Sequence, residues 1–71
     1  MNPSIAQQIQ SRRRQLGLTP GHLVRATGLH KSNVSRIEAG KHNPSLSTLE
    51  QIAAALGCRI ALVPLSDADP S

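Results

Sequence analysis

The sequence contains no phenylalanine, tyrosine or tryptophan. That absence removes the aromatic platforms on which single strands and unpaired RNA bases stack. It leaves duplex DNA, whose phosphates are held by cations and hydrogen-bond donors, as a compatible partner. Cysteine occurs once, as Cys58. One thiol closes no internal disulfide and builds no cysteine-rich zinc site, so a reducing, cytoplasmic setting is expected. No apolar run approaches the roughly 20 residues that cross a bilayer, and the first residues lack the basic-then-apolar pattern of a secretory leader. No membrane role is expected. Acidic side chains are scarce, four against eight Lys and Arg in 71 residues.

That imbalance is uneven along the chain. Residues 1–42 carry Arg12, Arg13, Arg14, Arg25, Lys31, Arg36 and Lys41 against Glu38 alone, a net +6. Residues 43–71 carry Arg59 against Glu50, Asp67 and Asp69, a net −2. A polyanion would meet the N-terminal part, although ordinary solvation accounts for the same charges. His22, His30 and His42 share no metal-ligand spacing. Ser, His and Asp occur without the order of a catalytic triad. The expectation is no catalytic residue, no metal and no cofactor. A chain this short buries only about 60% of its unfolded surface, and oligomerisation is one source of further stability.

Short helices separated by strong breakers account for most of the sequence. Ser4 caps a first helix with Ile5, Ile9 and Leu16 on one side, and Gly17 ends it. Thr19 followed by Pro20 is an N-cap with proline at the first helical position. That second helix carries Leu23 and Val24 and stops near Gly28. The third runs from about His30 to Ala39, with Val34 and Ile37 inward and Lys31, Ser32, Ser35 and Arg36 on a polar opposite face. Gly40 closes it, and Lys41-His42-Asn43-Pro44 is a loop. Ser45 or Ser47 caps a fourth helix, Ser47 and Glu50 having capping-box spacing. Its apolar stripe is Leu49, Ile52, Ala53 and Leu56, and Gly57 ends it. The run 58–65 reads as a β-strand. A lone strand leaves its backbone groups unpaired and no other segment offers a partner, so it needs a second subunit.

Two short helices joined by a tight turn, the second with a polar outer face, make a helix-turn-helix unit. The stretch from Leu18 to Gly57, and within it Val34-Ser35-Arg36-Ile37-Glu38-Ala39-Gly40-Lys41-His42-Asn43-Pro44 above all, resembles the Cro/C1-type (XRE) helix-turn-helix family. The likeness covers about residues 9–57. It implies a mainly α, lambda-repressor-like bundle that binds operator DNA, usually as a dimer. Here the family's fifth helix gives way to the strand, a variation similar to HipB-type antitoxins and regulators, whose C-terminal strands pair across the dimer. The domain reading is a DNA-binding unit over residues 1–65, including that strand, followed by a flexible tail over 66–71.

By this resemblance Lys31, Ser32 and Arg36 occupy base-reading positions, with Asn33 and Ser35 at the edges. Arg36 has the planar fork that matches guanine O6 and N7. Thr19, Lys41, Asn43 and Arg12 are candidates for phosphate. Arg13 and Glu38 match positions that pair as a structural salt bridge. Ile60, Leu62 and Val63 would form the dimer strand. Two departures stand out. Pro20 takes the place of a glutamine that contacts phosphate in the family, so that contact is lost or moved. Val24 stands where the family prefers alanine, and would push two helices apart unless small Gly28 absorbs it. The expected function is a dimeric, sequence-specific repressor acting on an inverted-repeat operator in duplex DNA. The alternative is an antitoxin that binds a toxin protein and represses its own operon.

Overall fold

A computed structural model describes residues 4–64. Its helices are α1 (Ile5–Gln15), α2 (Pro20–Thr27), α3 (Lys31–Glu38) and α4 (Leu46–Ala55). Each boundary follows from a local rule. Ser4 caps α1 through a capping box: its hydroxyl accepts from the Gln7 N–H while the Gln7 side chain accepts from the Ser4 N–H. Ser45, not Ser47, caps α4, accepting from the Thr48 N–H at 3.2 Å. Thr19 occupies the N-cap position of α2 with extended backbone, but its hydroxyl makes no capping bond.

α1 and α3 end alike. After α3, the Gly40 N–H donates to Ile37 O and the Lys41 N–H to Arg36 O at 2.9 Å, the paired bonds of a Schellman motif. Gly40 sits at φ +74°, a left-handed conformation that costs an L side chain roughly 1–2 kcal/mol. After α1, Leu18 and Gly17 bond back to Arg13 and Arg14 in the same way.

The core is Ile9, Leu23, Val34, Ile37, Ile52 and Leu56, drawn from all four helices and, with Leu56, from the C-cap of α4; Leu18, Val24, Leu29, Leu49 and Ala55 pack against it. Leu23 is fully enclosed. α2 packs on both α3 and α4, and α1 packs on α3. The inward stripe of α1 is Ala6, Ile9 and Arg13. It is not the expected Ile5–Ile9–Leu16 set, because Ile5 and Leu16 remain 43% and 41% exposed. Val24 packs beside the core, and nothing lies within 4 Å of where a Cβ on Gly28 would stand. Gly28 therefore does not relieve Val24.

Residues 58–64 have no regular secondary structure, and no strand occurs among the described residues. A ladder needs a second strand, and the rest of the described chain is helices and turns. Ile60 is half-buried, while Leu62 and Val63 stand exposed. The expected tail, 66–71, and Leu65 lie outside the described residues. No described helix is long and apolar enough to cross a membrane.

Candidate nucleic-acid interface

α2 and α3 are joined by a turn in which Thr27, Gly28 and Leu29 each have a task. The Thr27 hydroxyl donates to Leu23 O and accepts from the Leu29 N–H. It thereby ties the last turn of α2 to the first residue after the bend. Gly28, at φ +75°, donates its N–H to Val24 O and reverses the chain. Sequence reasoning missed Thr27. A threonine just before a glycine was the available signal, since Ser and Thr hydroxyls bond to nearby backbone.

α3 emerges with two distinct sides. Val34 and Ile37 are 1% and 3% exposed. Lys31, Ser32, Ser35 and Arg36 are all exposed. At 3.6 residues per turn these four share an arc of about 140°, and Arg36 lies nearly opposite Val34. Among the described residues their side chains make no hydrogen bond or ion pair. Asn33 is half-buried at one border of this face, and Glu38 stands at the other.

Glu38 anchors the far end of the helix. The Arg13 Nε donates to Glu38 Oε2 at 2.8 Å and Nη2 donates to Oε1 at 2.9 Å, a two-pronged pair. The third prong, Nη1, donates to Leu18 O at 2.8 Å. Both side chains are nearly enclosed, at 10% and 7% exposure. The hydrogen bond to Glu38 raises the Arg13 pKa above its ordinary value; burial opposes this and the Glu38 charge adds to it. A raised pKa on a cation stabilises the fold at every pH below the ordinary arginine value. That contribution is lost only as pH climbs past the raised value, far above neutrality. The pair also offsets an unfavourable placement, a carboxylate at the negative end of a helix.

The other expected phosphate contacts are distributed as follows. Lys41, His42 and Asn43 are exposed on the loop after α3. Thr19 is exposed at the start of α2, its hydroxyl uncommitted to the cap. Arg12 is elsewhere. Its Nε donates to Leu56 O at 3.1 Å and its Nη1 to the Gln15 side chain. Arg12 thus caps the C-terminus of α4, a helix with no basic residue of its own in the last turn. Nothing in the local sequence pointed to this, because the acceptor is a backbone carbonyl 44 residues away. No group of three or more His, Cys, Asp or Glu suited to a metal occurs among the described residues.

A helix-turn-helix domain family matches residues 4–65. The chain belongs to the Cro/C1-type helix-turn-helix family. Among relatives, the immunity repressor protein of Bacillus phage phi105 is 37% identical over 60 residues, which is 84% of this chain and 42% of that protein. An uncharacterized HTH-type transcriptional regulator of Haemophilus influenzae is 34% identical over 62 residues, 87% of this chain and 63% of that protein. Another, from Methanothermobacter thermautotrophicus, is 37% identical over 49 residues, 69% of this chain and 71% of that protein. The chain spans less than two thirds of the length of the first two. In this Cro/C1-type domain the matched region takes in all four helices and the segment 58–64.

Proposed function

We propose that the chain is a sequence-specific, duplex-DNA-binding transcriptional regulator, a dimeric repressor of an inverted-repeat operator. One observation carries this reading: α3 presents Lys31, Ser32, Ser35 and Arg36 on a continuous exposed face while Val34, Ile37 and the Arg13–Glu38 pair hold its other side rigidly. A helix so divided enters a major groove, where base edges carry a distinguishable donor–acceptor code. The relatives support it, one being named an immunity repressor and two as HTH-type transcriptional regulators.

In this reading Arg36 forks onto guanine, Lys31 and Ser32 read adjacent bases, and Asn33 and Ser35 work at the edges. Lys41 and Asn43 hold phosphates flanking the groove, and Thr19 donates its hydroxyl to another. Arg12 would join them only through Nη2, since its Nε and Nη1 are engaged at the end of α4. Two reading helices must stand about 34–36 Å apart to enter successive grooves, which a two-fold dimer provides. Residues 58–63 supply the dimer contact by pairing Ile60, Leu62 and Val63 with the same segment of a second copy. Pro64 ends that ladder because it has no N–H to donate.

The test is selection from random duplexes, then titration of the winning operator and its single-base variants. Arg36→Lys keeps the charge and loses the fork. It should cost about 1–3 kcal/mol per half-site at one base position and leave non-specific binding nearly unchanged. Retention of the parent's preferences at every position would remove Arg36 from base reading. Failure of any duplex to be enriched would remove the DNA assignment itself.

A further inference from the structure

Arg25 stands exposed on α2, one helical turn after Gly21. Side chains on a helix lean toward its N-terminus, so Arg25 reaches back over Gly21. Its Nη1 lies 3.5 Å from the point where a Cβ on Gly21 would stand, and Thr19 Oγ1 lies 3.5 Å from the same point. A guanidinium and a hydroxyl thus converge on one spot beside a residue that has no side chain to keep them apart. Neither is spent on the fold. The Thr19 hydroxyl makes no capping bond, and Arg25 has no hydrogen bond or ion pair among the described residues. Nor does a carboxylate of the described chain answer them. Glu38 is committed to Arg13, and Glu50, the other one, makes no ion pair. Two uncommitted donors, one of them a cation with a planar fork, suit a single phosphate group. Their place in the fold suits a phosphate of duplex DNA: when the second helix of a helix-turn-helix lies in the groove, the first crosses the backbone.

We propose that Arg25 joins Thr19 in clamping one DNA phosphate, and that this clamp fixes how α2, and with it α3, sits on the duplex. This rests on the DNA-binding reading and adds a positioning residue to it. Arg25 supplies the charge and the fork, and Thr19 supplies a neutral donor to the same phosphate.

Titration of the selected operator and its single-base variants over a range of salt reads the result, with denaturation midpoints followed by circular dichroism. Arg25→Gln should weaken every duplex alike, about ten- to a hundredfold near 0.1 M salt. It should flatten the slope of log affinity against log salt by about two, one contact from each copy. Its midpoint should stay at the parent's, since the side chain bonds to nothing in the fold. Arg25→Lys retains the charge and should keep the slope. Thr19→Val should cost less affinity beside Arg25→Gln than in the parent, because the two donors share one phosphate. An Arg25→Gln variant with the parent's slope and affinity would overturn the clamp and leave DNA binding standing. A loss confined to one base position would overturn it too, making Arg25 a base reader. Strict additivity of the two substitutions would place Thr19 and Arg25 on separate phosphates and overturn the shared contact. A parent that enriches no duplex would overturn the clamp and the DNA reading together.

Discussion

Glu38→Ala is the sharpest probe of how α3 is held. The substitution leaves the Arg13 guanidinium nearly enclosed, keeping its bond to Leu18 O and losing both bonds to the carboxylate. Breaking a buried ion pair from one side costs about 3–5 kcal/mol, far more than an exposed pair. At 10% and 7% exposure the pair belongs near the buried limit, and water reaching Arg13 in the variant argues for the lower end of the range. In a domain this small each kcal/mol shifts the melting temperature by about 4–8 °C, so a loss of 12 °C or more is expected. With a total stability of about 5 kcal/mol the variant would be partly unfolded at 37 °C. Thermal and urea denaturation followed by circular dichroism measure it. Arg13→Met combined with Glu38→Leu should cost less than Glu38→Ala alone, because no charge is left stranded. A Glu38→Ala loss under about 1 kcal/mol would refute the burial argument, as would strictly additive single and double variants.

Other perturbations separate backbone, turn and charge effects. Gly28→Ala meets no atom within 4 Å, so its cost is purely conformational, about 1–2 kcal/mol by denaturation, and Gly28→Asn should cost less. Thr27→Val strands the Leu29 N–H and should cost about 1–2 kcal/mol with the helices retained; an unchanged midpoint would show that the hydroxyl does not hold the turn. If a dimer neutralises about six to eight phosphates, log affinity should fall against log salt with a slope of about −5 to −7. Lys41→Ala should flatten that slope by about two, one contact from each copy, and weaken all duplexes alike.

The sequence announces its helices because glycine and proline punctuate it. Gly17, Gly28, Gly40 and Gly57 all carry positive φ just past a helix, and Pro20 opens one. The side of α1 that faces inward was harder to read. Counting apolar residues favoured Ile5 and Leu16, whereas packing chose Arg13, whose charge becomes tolerable only when Glu38 arrives from 25 residues away. That pairing comes from family likeness and not from any local pattern. Ser45 and Ser47 were equally able caps by composition, and the helix starts at Leu46. The caps on α4 also show where sequence reading stops, since Arg12 reaches Leu56 O only once α1 and α4 are packed. Segment 58–64 is apolar enough for a strand but too isolated to become one within a single chain.

The division of α3 into two sides also bears on how such a protein can change. Val34, Ile37 and Glu38 belong to the fold, whereas Lys31, Ser32, Ser35 and Arg36 touch nothing that the fold requires. The letters that hold the fold and those left open on the surface are therefore separate within the same eight-residue helix. Side chains other than Gly and Pro can be exchanged at these four positions within about 0.5 kcal/mol each, much as a key is recut without changing its blank. A lineage carrying this domain could vary the exposed face of α3 through intermediates that all remain folded.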